Sequence, residues 1–432
     1  MTALQVATRE ERAPLAPIII IGTLFFIFGF VTWLNGPLIT FVKLAFDLDT
    51  DAKAFLVTTA FYLSYFFLAL PSAWILERTG MKKGMALGLS VMAVGAFAFG
   101  TFATMRNYPG ALAGLFIIGS GLSLLQCASN PYISILGPIE SAAQRISLMG
   151  ICNKTAGIIS PLVIGSTVLS GVDVIERQVR GATDMQTREA LLNEFAAKVH
   201  APYMVMAGIL ALLALWILRS PLPEISASKA NMQVRTQDSP RERTSIFQFP
   251  HLWLGVVCLF LYVGVEVMAG DAIGTYGRGF GLPVGQTKYF TTLTMIAMLL
   301  GYLAGMVAVP RFITQARGLT ISAFLGVLFT MAAWLSSGYV SVGFVAALGL
   351  ANALMWPVIW PLAIGGLGRF TEKGSALLVM GIAGGAIIPR LFATLKEQYP
   401  FQTVFLLIMA PCYLYILYYS LRGHRVGQEK PR

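Results

Sequence analysis

Runs of about 20 apolar residues, the length that crosses a bilayer's hydrocarbon core, recur along almost the whole chain. They fall near residues 15–41, 53–76, 84–105, 110–136, 146–170, 201–218, 251–275, 288–309, 317–337, 340–365, 375–394 and 402–421. Nothing else about the sequence restricts its fold so severely. A backbone surrounded by lipid finds no water to bond with, so each run must satisfy its own peptide groups, and a helix does so. The expected class is therefore an all-α integral membrane protein with twelve transmembrane helices. Composition agrees: 56% of the 432 residues are hydrophobic and 12% are charged, with a mean hydropathy of +0.72, beyond the range of ordinary soluble domains. The first run contains Trp33 and Asn35 and lacks a small-residue cleavage site, so it reads as a span and not as a cleaved signal peptide.

The distribution of Lys and Arg sets the expected orientation. If both termini lie in the cytoplasm, the segments on that side hold 19 of these residues, among them Arg78, Lys82, Lys83, Arg145, Arg311, Arg317, Lys430 and Arg432, and the opposite side holds 10. That asymmetry follows the positive-inside rule. The formal charge of +11 is thus a mark of topology, and without a clustered basic face no nucleic-acid partner is expected. Cys127, Cys152, Cys258 and Cys412 all fall in apolar runs without paired spacing, and His200, His251 and His424 sit at segment edges. Neither set forms a metal site or a nucleophile relay, and no phosphate motif is present, so an enzyme is not expected.

Residues 219–250 lose the apolar pattern and gain Ser, Lys, Arg and Pro, as a linker would. They divide the chain into an N-terminal unit, 1–218, and a C-terminal unit, 251–432, with six spans each. A polar stretch from Val172 to His200 keeps a helical pattern and reads as an ordered cap. Shifting the sequence by 235 positions lays Phe25–Gly36 on Phe260–Asp271, so Gly36 meets Asp271; a shift of 230 lays Gln126 and Asn130 on Trp356 and Trp360. Internal repeats of this kind place a binding site at the midplane between the two halves.

Ionisable groups inside the spans point to function. Glu266 and Asp271 lie in the seventh span and Lys154 in the fifth, where insertion costs roughly 2.5–3.5 kcal/mol for an Asp or Lys at the bilayer centre. Lys154 is expected to pair with Glu266 or Asp271, with Glu266 the first choice for cation coupling; the bland alternative is a lysine snorkelling to the headgroups. Gln126 and Asn130, four residues apart, share a helix face and offer amide donors and acceptors to hydroxyls. Asn352, Trp356 and Trp360 repeat that spacing in the tenth span, where an indole stacks on the apolar face of a pyranose or serves in aromatic packing. Asn35 either contacts a substrate or bonds between helices.

Specific motifs sharpen this reading. The turn Glu77-Arg78-Thr79-Gly80-Met81-Lys82-Lys83 resembles the signature turn of the major facilitator superfamily, with Ala73 and Met81 departing from the pattern. The fourth-span sequence LQCASNPYISILGP, together with Gly150-Ile151-Cys152-Asn153, Tyr262-Val263-Gly264-Val265-Glu266 and Gly374-Ser375, resembles the fucose:proton symporter family, which includes bacterial glucose/galactose permeases. In the fucose transporters an aspartate stands at the position of Gly36 and a glutamate at that of Gln126. Both are absent here, so the fucose-type proton site does not carry over. The resemblance implies two six-helix bundles that alternate access to a central site. Symport of a hexose such as glucose or galactose, driven by a proton or sodium, would follow. A uniporter or exporter and a non-transporting sensor are the alternatives. Sugar contacts are expected from Asn35, Gln126, Asn130, Asn153, Asn352 and Trp356, and cation coupling from Glu266, Asp271 and Lys154. The expected setting is a monomer in the lipid of a bacterial inner membrane, with no cofactor beyond the coupling ion.

Overall fold

The computed structural model describes residues 15–135, 142–223, 245–309 and 311–427. Outside them lie the polar N-terminus through residue 14, the Leu136-Gly137-Pro138 end of the fourth-span motif, residues 224–244 of the expected linker, and Lys430 and Arg432. Among the described residues, twelve helical spans are long and apolar enough to cross a membrane, and their positions follow the hydropathy pattern to within a few residues. Large apolar side chains such as Phe67, Phe97, Leu212, Phe324 and Leu407 point outward, as a lipid-facing surface requires.

Among the described residues, four spans are broken between two helices of six residues or more. The first consists of Leu15–Thr32 and Asn35–Ala45, the seventh of Pro250–Gly270 and Ile273–Arg278, the tenth of Gly338–Asn352 and Met355–Ile364, and the eleventh of Thr371–Gly381 and Gly384–Leu395. Two of the breaks have a direct local cause. A proline ring collides with the carbonyl four residues earlier and supplies no N–H. For Pro37 that carbonyl belongs to Trp33, and for Pro357 to Ala353, the residues at which the helical hydrogen-bond pattern of the first and tenth spans is interrupted. The eleventh span breaks between Gly381 and Gly384, a stretch with little helix propensity.

Contacts between spans repeat after six. In the N-terminal bundle the first span lies on the fifth, the second on the fourth, and the third on both the fourth and the sixth; in the C-terminal bundle the seventh lies on the eleventh, the eighth on the tenth, and the ninth on the tenth and twelfth. The bundles meet where the second span packs against the eleventh and the fifth against the eighth. A two-fold relation that exchanges the halves exchanges these two contacts with each other.

Two glycines set the closest approaches. A Cβ on Gly29 would lie 1.9 Å from the carbonyl oxygen of Asn153, and one on Gly384 would lie 1.8 Å from that of Phe260. The first–fifth and seventh–eleventh pairs therefore touch backbone to backbone, as small-residue helix contacts in membranes do. The expected cap is present as two short helices, Val172–Gly181 and Met185–Ala197, the second N-capped by Asp184, whose Oδ1 accepts from the Thr187 amide at 2.7 Å.

Candidate functional site

A cavity of about 100 Å³ lies between the bundles, walled by spans 1, 2, 4 and 5 of one half and 7, 8, 10 and 11 of the other. Its charged feature is a pair that crosses the interface. Lys154 Nζ donates to Glu266 Oε1 at 2.8 Å, with side-chain exposures of only 6% and 10%. The ammonium also sits 4.2 Å from the ring centre of Trp33, a cation–π contact that strengthens where water is excluded. The Trp33 indole N–H donates to Asn153 Oδ1 at 3.2 Å. One turn of the fifth span thus offers an amide and an ammonium side by side, both oriented by the first span.

Of the residues expected to contact substrate, Gln126, Asn130, Asn153 and Trp356 line the cavity. Gln126 Nε2 donates to the Tyr65 hydroxyl at 3.2 Å, which fixes the amide and leaves its oxygen for a ligand. The Trp356 ring is braced by Trp360 at 5.5 Å and by Tyr262 at 6.4 Å. Asn35 and Asn352 are outside the cavity wall. Asn35 is buried and donates to the Thr32 carbonyl at 3.0 Å, satisfying backbone at the break. Asn352 is fully buried and accepts from the Tyr413 hydroxyl at 2.8 Å. Four-residue spacing put Asn352 on the face of Trp356, but that rule assumes an unbroken helix. Asn352 instead faces the twelfth span, where the Tyr413 hydroxyl holds it.

Asp271 also lies outside the wall. It is 1% exposed, neither carboxylate oxygen has a hydrogen-bond partner, and it faces Gly36 across the first–seventh contact. Tyr62, Tyr65, Tyr262 and Tyr302 line the cavity as well and escaped the sequence reading. The spacing of Tyr62 from Tyr65, and of Tyr262 from Glu266, placed each pair on one helix face and carried the signal.

The end of the molecule opposite the linker is closed by charge. Asp51 accepts from Lys43 of its own half and from Lys396 of the other, and Arg278 Nη2 lies 3.9 Å from the same carboxylate. Lys288 Nζ donates to the carbonyls of Gly165 and Leu169 at 2.8 and 2.9 Å, and Asp173 Oδ1 accepts from the Gly285 amide at 2.9 Å. Asp51→Asn is expected to loosen this closure. A cysteine placed at Val267, with the four native cysteines replaced, should then react faster with a membrane-impermeant thiol reagent; an unchanged rate would show that the Asp51 cluster does not hold the gate.

Two pseudo-symmetric helical bundles with a cavity at their junction, lined by aromatic, amide and charged side chains, and ion pairs bolting one end form the anatomy of an alternating-access membrane transporter. The chain belongs to the major facilitator superfamily, whose family model matches residues 21–388. It is 31% identical to a glucose/galactose transporter of Brucella abortus over 93% of this chain and 92% of that protein. To the L-fucose-proton symporter of Escherichia coli it is 28% identical over 88% of this chain and 86% of the relative. Among solved structures, the superfamily transporter FucP in its outward conformation matches with a TM-score of 0.74 and 26% identity, covering 97% of this chain and all of that one. These relatives are carriers, and the chain is a multi-pass membrane transporter and not an enzyme.

Proposed function

We propose that this protein is a proton-coupled symporter of a neutral hexose such as glucose or galactose. The observation that carries the reading is the Lys154–Glu266 ion pair, buried in the cavity wall and shared between the bundles. A coupled carrier needs a charge arrangement that both ligands can perturb and that both halves feel. The rest of the wall suits a polyol: Gln126, Asn130 and Asn153 would bond to hydroxyls, and Trp356 would stack on the apolar ring face. Asn35 and Asn352 would hold the broken helices in place. The names of the relatives, glucose/galactose transporter and L-fucose-proton symporter, support both the sugar and the ion. A proton also suits the site better than sodium does, because the carboxylate in the wall already faces an ammonium.

Residues 1–218 and 251–432 would rock as two bodies joined by 219–250, in a bacterial inner membrane with both termini in the cytoplasm. The Asp51 cluster would then close the outer end. One chain builds the whole cavity, so a monomer suffices. The test is uptake of labelled hexoses into proteoliposomes under proton and sodium gradients imposed separately. Accumulation above equilibrium under the proton gradient is expected, and Glu266→Gln should abolish it while exchange persists. Accumulation driven by sodium alone would replace the ion in this reading, and equilibration without accumulation would leave a uniporter.

A further inference from the structure

Resting on that reading, we infer that the proton-binding group is Asp271, and that Glu266 serves as its electrostatic reporter through Lys154. Asp271 follows the helix Pro250–Gly270, and its amide donates to the Val267 carbonyl at 2.7 Å. Its carboxylate is enclosed and unpartnered. The ionisable groups nearby are Glu266 on the same span, Lys154 from the fifth and Tyr62 from the second. Lys154 is committed to Glu266 at 2.8 Å. From the eighth span Thr291 turns away and donates to the Gly270 carbonyl at 2.8 Å, and the first span brings Trp33 against Gly270 and the Gly36 backbone against Asp271.

An ionised carboxylate with neither a paired cation nor a side-chain donor is among the costliest things to hold inside a membrane protein. The neutral acid is the form this enclosure accommodates, whereas Glu266 already has its counter-ion. When Asp271 gives up its proton, its new charge competes with Glu266 for the Lys154 ammonium, whose charge both carboxylates feel. Drawing Lys154 from Glu266 changes the cavity wall beside Asn153. The proton and the sugar are thereby linked through a single lysine, and no bond other than the carboxyl O–H is made or broken.

The position follows from the internal symmetry. The 235-residue shift of the sequence pairs Gly36 with Asp271, and a Cβ on Gly36 would lie 3.3 Å from the Asp271 Cα and 3.4 Å from its Oδ1. Symmetry-related residues that touch lie at the axis relating the bundles. A carboxylate carried by either helix therefore reaches the same region, where the Thr291 hydroxyl, 2.5 Å from that Cβ, must yield.

The experiment compares wild type, Asp271→Asn, Glu266→Gln and the swap Gly36→Asp/Asp271→Gly in proteoliposomes, together with infrared difference spectra of the purified proteins. Asp271→Asn should lose proton-driven accumulation, lose the pH dependence of exchange, and lose the carbonyl band of a protonated carboxylic acid. Glu266→Gln should keep that band, and the swap should recover accumulation. A band that disappears in Glu266→Gln and survives in Asp271→Asn would overturn the assignment. So would an Asp271→Asn protein that accumulates sugar normally, or a swap that exchanges sugar without accumulating it. Should Asp271→Asn fail to fold, the band in Glu266→Gln still decides. Failure of the wild type to accumulate hexose in a proton gradient would instead defeat the underlying reading of the protein as a symporter.

Discussion

Lys154→Gln is expected to give a destabilised protein that does not concentrate sugar, and the double variant Lys154→Gln/Glu266→Gln a stable one that still does not. The single change leaves Glu266 in the cavity wall without the cation that lies 2.8 Å away. Breaking a buried pair by removing one partner costs about 3–5 kcal/mol, whereas replacing both partners is often neutral. The two variants therefore separate the structural role of the pair from its coupling role. Thermal unfolding in detergent should show a lowered midpoint for the single variant and recovery in the double, and uptake under a proton gradient should be absent from both. A Lys154→Gln protein that accumulates hexose normally would remove Lys154 from the mechanism.

The other large effect is expected from Gly29→Val. The new Cβ would stand 1.9 Å from the Asn153 carbonyl oxygen, and a backbone cannot step aside as a side chain can. The first and fifth spans must separate, carrying Asn153 and Lys154 away from Trp33. Overpacking of this kind costs about 1–3 kcal/mol, occasionally more, and here it also dismantles the cavity wall. Gly208→Val is the control, since no atom lies within 4 Å of a Cβ at that position in the sixth span. Gly29→Val should lower both the unfolding midpoint and hexose binding, and Gly208→Val should change neither. Equal behaviour of the two would show that the first–fifth contact is not as close as described.

Much of this architecture was legible in the chain because membrane insertion is a local criterion. Whether about 20 residues can cross a bilayer depends on those residues alone, so the number and position of the spans follow from hydropathy. Two helix breaks follow from Pro37 and Pro357 by the same kind of local rule. The pairing of Lys154 with Glu266 or Asp271 was also foreseeable, because few groups in the spans can answer a buried charge. The choice between the two carboxylates was not, since it turns on whether the seventh span presents residue 266 or residue 271 to the fifth.

Where partners are distant in sequence and plentiful in kind, only the tertiary structure decides. Asp51 draws on Lys396, 345 residues away, and nothing local distinguishes that lysine from the others on the same side. Asn352 shows the converse failure: helical spacing places it beside Trp356, and packing against the twelfth span gives it to Tyr413 instead. Apolar length, proline and charge are properties a residue carries with it, and they determined that this is a twelve-span membrane protein with ionisable groups inside its spans. Which acid meets the lysine and which stands alone depends on the packing of two bundles against each other, a relation no single segment encodes.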